Sequence, residues 1–440
     1  MNNIYNFLKT VTLKPNYTDK VSNVLIIALS IVLVCIPLPF IYGSLSCILL
    51  ILLFLIVEKN KKFSFNFALF IPILYFILIC FSLIWTIDIK ESVGGLQKEI
   101  ILVLLPIVFL FFKKVDKQCL HKIFEIYSIF MVLFALIKIS AAAILYFQTE
   151  NIDVFFYHEL VSLDLNAIYV SAFSSFALFY FLQIEHKIIS TQISIAILAV
   201  FIFLLSSKSI IFIDFILVIY FYINHAKVTS SVKLLTISCV SLFIVFSLIY
   251  VKQIRERFLI EYETAFTDNT VNKKITDDKG KVYNISLRQA WNNKTFKEDQ
   301  FFPGTALRVY QLRIFMEIIQ ENNAFIFGFG HNAAQSKIKE KEIHYHLYSG
   351  YGDFNFHNQY TQTFAEIGVF GFIILLLMVL LNLKNAIHNK DFLHIVFAVT
   401  MIILFLTESL LCRQRGIVFF ITLYCLFNSV SNHSLLKKEI

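Results

Sequence analysis

FALFIPILYFILICFSLIW, residues 67–85, runs for nineteen positions without a charged side chain. Wound as an α-helix it rises about 28 Å, close to the roughly 30 Å hydrocarbon core of a bilayer. Hydrocarbon offers no water to backbone N–H and C=O groups, so such a segment crosses as a helix that satisfies them internally. Reading outward from it, similar apolar blocks recur at 21–37, 40–57, 98–112, 122–146, 166–184, 189–205, 209–224, 232–251, 364–382, 392–411 and 416–430. With 67–85 they make twelve candidate spans, of which 98–112, 209–224 and 416–430 are the shortest. Residues 1–20 are polar and the first block is followed at once by a second, so no cleavable signal peptide is expected.

The whole composition agrees. Of 440 residues, 58% are hydrophobic, 16% aromatic and only 15% charged. A soluble domain carries roughly 25% charged residues because water must wet its surface. The expected fold is an all-α membrane protein of about twelve transmembrane helices, with a long, partly helical loop between spans 9 and 10. Its parts are an N-terminal bundle at 1–251, the loop at 252–363 and a C-terminal bundle at 364–440. No internal repeat is evident.

Lysine placement orients the chain, because positive residues collect on the cytoplasmic side. With the N-terminus inside, the inner segments hold Lys9, Lys14, Lys20, Lys59, Lys61, Lys62, Lys113, Lys114, Lys117, Lys122, Lys187, Lys227, Lys233, Lys384, Lys390, Lys437 and Lys438. The short outer loops hold only Lys90, Lys98, Lys208, Arg413 and Arg415, and the 147–165 loop is acidic. This places 252–363 outside. The net charge of +8 is then mostly lysine meeting anionic lipid, not nucleic acid. The seven cysteines lie in or beside spans and none is in the long loop, so neither disulfides nor a Cys/His zinc site is expected there.

The arginines are sorted differently from the lysines. All seven (Arg255, Arg257, Arg288, Arg308, Arg313, Arg413 and Arg415) fall on the outer side. Topology needs only charge, whereas the planar guanidinium fork binds phosphate oxygens bidentately. One reading is therefore a phosphate or pyrophosphate held at the outer face; the other is chance in an arginine-poor chain. Arg413 and Arg415 sit in a very short outer turn. Glu408, near the end of a span, is costly there and faces the bundle interior or snorkels; it can pair with an arginine from the long loop. Lys138, Asp214 and Lys208 are further charges in or near spans and are expected to pair with other helices.

Within the long loop, 252–302 reads as a polar, irregular excursion, and Pro303-Gly304 breaks the chain. Residues 305–322 form a predicted amphipathic helix, with Leu307, Tyr310, Ile314 and Ile318 at helical spacing. Arg308 and Arg313 are five apart on it and need not share a target. Gly328-Phe329-Gly330 makes a tight turn and is not a nucleotide fingerprint. His331, His344 and His346 read as exposed loop histidines, and their spacing disfavours a metal. His357 stands just where a helix enters the bilayer, as a base there or as an interfacial anchor. Tyr345, Tyr348, Tyr351, Phe354 and Phe356 around it are sugar-stacking or interface aromatics.

The string His357-Asn358-Gln359-Tyr360-x-Gln362-x-x-x-Glu366-x-Gly368-x-x-Gly371, together with Arg308 and Gly328-x-Gly330, resembles the O-antigen ligase and polymerase superfamily. Trp85-Thr86-Ile87-Asp88 resembles its W-S-x-D helix end, Ser206-Ser207-Lys208-Ser209 its S-x-S-R turn, and Glu408 with Arg413 its acid-containing penultimate span. The specific resemblance covers about 305–416. It implies a glycosyltransferase of the bacterial inner membrane, active on the periplasmic side. The implied donor is an undecaprenyl-pyrophosphate-linked glycan and the acceptor is lipid A-core or a lipid-linked glycan, with no metal, cofactor or nucleotide sugar. Carried over, His357 is the base and Arg308 a diphosphate ligand. Arg313, Arg413, Arg415, Lys208, Glu408, Asn358 and Tyr360 are further substrate-binding residues. Lys208 departs from the family's usual arginine and supplies charge without the fork. A polymerase uses the same donor; a transporter or flippase, the rival of another class, has no need of a long exported loop rich in His and Arg.

Overall fold

The computed structural model describes residues 20–57, 63–111, 116–185, 188–272, 275 and 280–430. Lys9, Lys14, Lys59, Lys61, Lys62, Lys113, Lys114, Lys187, Lys437 and Lys438 lie outside them, as do residues 276–279 of the long loop. Among the described residues the protein is all-α apart from one small sheet, and a helix occupies each apolar block. The N-terminal set is α1 (Lys20–Cys35), α2 (Phe40–Val57), α3 (Phe67–Ser82), α4 (Ile89–Glu99), α5 (Ile101–Phe111) and α6 (Lys117–Thr149). After a short α7 (Tyr157–Val161) come α8 (Ala167–Gln183), α9 (Ile189–Leu204), α10 (Lys208–Asn224) and α11 (Ser230–Tyr250). Among the described residues, four helical stretches are long and apolar enough to cross a membrane: Ile89–Phe111, Lys117–Thr149, Ser230–Tyr250 and Gln359–His388. Six more apolar helices are shorter.

Helices that are apolar all round belong in the middle of a bundle. So it is here: α8 is buried along nearly its whole length. So is α18 (Gln414–Asn428), whose Phe419, Phe420 and Phe427 interlock with Phe173, Phe176 and Phe397. By contrast α11 buries almost nothing and presents its apolar sides outward.

The chain from 252 to 302 is not the irregular excursion expected. It begins with α12 (Lys252–Ala265) and continues through a three-stranded sheet, β1 (Thr270–Val271), β2 (Tyr283–Asn284) and β3 (Gln300–Phe301), with α13 (Leu287–Asn292) before β3. A core of its own explains the order. Ile285, Phe296 and Phe302 pack with Tyr310, Ile314 and Ile318 of α14 (Gly304–Glu321) and with Tyr345 beyond α15 (Gln335–His344). Polar composition hid these anchors because they are spaced too widely to show a period.

Several boundaries also differ. The helix expected at 98–112 is α5 preceded by the amphipathic α4, so it starts well before the apolar block. α17 (Phe392–Thr407) ends short of 411, because Glu408 leaves the helix with ψ 142°. α16 (Gln359–Asn389) begins before 364 and is broken at Ile367 and Gly368. Gly368 has φ +67°, a region that excludes most side chains. A Cβ on it would lie 2.0 Å from the Ile326 carbonyl oxygen. At this break the strap 325–330 lies along α16 by hydrogen bonds that the broken helix leaves free. Phe329 and Gly330 N–H groups donate to the Ala365 and Glu366 carbonyls, and Val369 N–H donates to Phe325.

The loop meets the bundle at one end. Trp85 Nε1 donates to Phe327 O and Ile87 N to Phe329 O, so the tryptophan turn after α3 grips the strap. Arg415 joins the α1–α2 turn to the 150–166 segment through Leu38 O and Asp164 at the same end.

Candidate functional site

Five consecutive residues ahead of and into α16 are each tied down. Asn355 O accepts from Gln311, Phe356 N donates to Gln362 Oε1, and His357 N donates to Asn355 Oδ1. Asn358 N donates to Ser409 Oγ, and Gln359 Oε1 accepts from Leu411 N. This clamps His357 with φ +45°. Left-handed backbone at a non-glycine residue costs about 1–2 kcal/mol and persists where surrounding contacts over-determine it.

Because α17 stops at Thr407, the Glu408 carboxylate is free of the helix and points at this turn. It is 4% exposed. Its Oε1 accepts from Arg308 Nη2 at 3.1 Å, and its Oε2 lies 3.6 Å from His357 Nδ1. Arg308 is further fixed by Thr407 O, which accepts from both Nε and Nη2, and by Gly304 O. Helix α14 of the long loop, the end of α17 and the start of α16 thus meet in the set Arg308–Glu408–His357. His357 Nδ1 is buried without a hydrogen bond at this separation.

More cations surround this set. Lys208, at the start of α10, pairs with Glu261 of α12 at 3.0 Å. Glu261 Oε2 in turn accepts from Thr305 N, one turn from Arg308. Glu261 is held below the usual carboxylate range: burial opposes ionisation, but Lys208 and the Thr305 donors outweigh it. Arg257, also on α12, lies 3.4 Å above the Tyr157 ring, with Nη1 buried and without a hydrogen-bond partner. Beside Tyr157, His158 is pushed down to about 4 by burial, with Arg257 and Arg413 opposing its protonation and Glu408 favouring it. Its ring is therefore neutral near pH 7, and Nδ1 accepts from Ala167 N at 3.5 Å. Lys208, Arg257, Arg308 and Arg413 outnumber Glu261 and Glu408, and Arg413 is exposed. A partly buried surplus of guanidinium charge is a site for an anion.

The structure brings together His357, Arg308, Glu408, Lys208 and Arg413, and it sets the remaining sequence candidates apart. Arg313 is spent within the loop: Nε pairs with Glu317, Nη1 donates to Ala290 O and Asn293 O, and the guanidinium covers Tyr345. Arg415 is committed to Asp164 and Leu38 O and stacks on Phe40. Asn358 caps α16, its Oδ1 accepting from Tyr360 N and Thr361 N. Tyr360 donates to Ile402 O and borders an apolar groove of about 750 Å³. Tyr345 and Phe356 are core residues, whereas Tyr348 and Phe354 are exposed.

His344 and His346 are exposed, as expected, but His331 is buried and ion-paired with Glu99 and Glu366. Arg257, Glu261 and His158 were not singled out from the sequence. Arg257 could have been, since it stands directly beyond span 9 where a lysine would serve topology equally. Nothing in the local sequence marks His158. Among the described residues no group of three or more His, Cys, Asp or Glu could hold a metal ion.

A family model described as O-antigen ligase matches residues 193–376. The matched stretch takes in Lys208, Arg257, Glu261, Arg308 and His357 and ends ahead of Glu408. None of the curated proteins compared with the chain matches it.

Proposed function

We propose, from the O-antigen ligase domain that the chain carries across 193–376, that this multi-pass membrane protein transfers a glycan from undecaprenyl pyrophosphate to lipid A-core or a comparable acceptor at the periplasmic face of the inner membrane. The observation that carries the reading is Glu408 joining a loop arginine to the clamped His357 within a surplus of cations. The Glu408 carboxylate, 3.6 Å from His357 Nδ1, favours the tautomer with its proton on Nδ1, which leaves Nε2 facing the acceptor as the basic nitrogen. The acceptor hydroxyl oxygen attacks the anomeric carbon while its proton passes to Nε2. The bond from that carbon to the pyrophosphate oxygen breaks, and its electron pair leaves on the diphosphate.

The departing charge falls to Arg308, Arg257, Arg413 and Lys208, whose role is electrostatic. Pyrophosphate is already a good leaving group, so the step requires no nucleotide and no metal. The groove beside Tyr360, lined by Phe315, Met316, Ile319, Phe325, Phe364 and Phe372, has the apolar character an isoprenoid chain requires. Arg313 and Arg415 support the fold instead of the substrate in this account, and Asn358 acts through the helix cap. A polymerase would use the same set with a second lipid-linked repeat as acceptor. Deleting the gene and analysing surface polysaccharide tests the choice. Uncapped lipid A-core with accumulated long lipid-linked polymer supports ligation. Accumulation of single lipid-linked repeats identifies a polymerase, and an unchanged profile removes both.

A further inference from the structure

His331 sits where the strap, α4 and α16 meet, and it is 4% exposed between Glu99 at 5% and Glu366 at 6%. Its Nδ1 is 3.1 Å from Glu366 Oε2 and its Nε2 is 3.6 Å from Glu99 Oε1. The backbone is held too: His331 N donates to Ser82 Oγ, and Ser92 Oγ donates to His331 O. Gly95 makes room for the ring, since a Cβ there would approach Nε2 to 2.5 Å. Burial opposes protonation, yet Glu99 and Glu366 outweigh it and the ring is raised to about 9.

A buried ion cluster is a weak source of stability, because desolvation offsets most of the attraction. What this one does is visible at its other end. Glu366 Oε1 accepts from Gln362 Nε2 at 2.6 Å, and Gln362 Oε1 accepts from Phe356 N at 3.2 Å. An ionised carboxylate only accepts, so it holds the NH2 end of the Gln362 amide and turns the oxygen toward Phe356. Without the His331 contact at Oε2, the Glu366 carboxylate is no longer held against the Gln362 NH2 group. The amide could then reverse and set its NH2 group against the Phe356 N–H, two donors face to face. Phe356 immediately precedes the left-handed His357.

We propose that His331 is a positioning residue for His357. Its ring holds the Glu366 carboxylate in place through Nδ1, Glu366 orients the Gln362 amide, and that amide pins the Phe356 N–H and with it the turn that aims the base. The proposal rests on His357 being the base. The test therefore includes a readout that does not depend on transfer.

Full-length protein in nanodiscs is compared as wild type, His331→Gln, Gln362→Leu and the double variant. Hydrogen exchange is followed in peptides covering 355–360 and 305–320, and glycan transfer is measured in parallel. Both single variants accelerate exchange at 355–360 and leave 305–320 unchanged. Each lowers kcat roughly tenfold with little change in donor KM, and the double variant is no worse than the poorer single one. Gln362→Leu leaves the charged cluster intact, so it decides the matter even where His331→Gln does not fold. Unchanged exchange at 355–360 in Gln362→Leu, or losses in kcat that multiply, overturns the proposal. Absence of transfer in the wild type would instead count against the transferase reading and leave the exchange result standing.

Discussion

Replacing Glu408 by Gln removes a charge and almost no volume from the centre of the site. The amide oxygen can still accept from Arg308 Nη2, now 3.1 Å from Oε1, and Thr407 O keeps its two hydrogen bonds from Arg308. What is lost is the negative charge 3.6 Å from His357 Nδ1, which favours the imidazolium formed as the acceptor proton arrives. The side chain is only 6% exposed, so water screens this charge little. As the imidazolium forms, this contact tightens to a hydrogen bond, and one to a charged group is worth about 1.5–3 kcal/mol, or roughly 10- to 150-fold in rate. The loss belongs in kcat, because Arg308 and the other donors to the diphosphate stay in place. The assay is single-turnover transfer from a labelled lipid-linked glycan by purified protein in nanodiscs, with donor affinity measured separately. A kcat within twofold of wild type would refute the coupling of Glu408 to His357. A loss confined to donor affinity would assign Glu408 to Arg308 alone.

Arg257→Ala weakens donor binding roughly 10- to 100-fold, the worth of one guanidinium–phosphate contact, while the exposed Arg255→Ala leaves it unchanged; titration of both with a polyprenyl diphosphate checks this. Arg313→Ala does the reverse. It strands Glu317 and the Ala290 and Asn293 carbonyls, lowering stability by about 2–4 kcal/mol in a thermal melt in detergent while donor affinity holds. The same melt tests His331. With its ring raised to about 9, its contribution is fully present below about 6.5 and is lost as pH rises through 9, on the order of 3 kcal/mol. The melting temperature therefore falls between about pH 6.5 and 9 in wild type and varies less in His331→Gln; parallel curves would contradict it.

Much of this was legible because bilayer physics writes long signals. A run such as 67–85 announces a helix by composition alone, and helices stand at every such block. Helix ends were less legible: Glu408 reads as part of a span, yet it terminates α17, and this frees its carboxylate for Arg308 and His357. The pairing of Glu408 with a loop arginine could be anticipated from the cost of a buried charge. Which arginine served was decided by three-dimensional packing. Arg308 and Arg313 lie on one helix, but their separation turns Arg313 toward Glu317 and Tyr345. His331 misled because a histidine after two glycines looks like a surface loop; its carboxylate partners lie far away in sequence, at 99 and 366. The folded character of 252–302 was hidden because its few anchors, Ile285, Phe296 and Phe302, find their core partners outside the segment, on α14 and at Tyr345.

The most direct test is transfer by purified protein with His357 intact and with His357→Ala. A defined undecaprenyl-pyrophosphate-linked glycan and lipid A-core are supplied, and both joined product and released undecaprenyl pyrophosphate are counted. The account predicts equal donor binding by the two proteins, stoichiometric product and lipid diphosphate from the wild type, and neither from His357→Ala. Undiminished transfer by His357→Ala would contradict it.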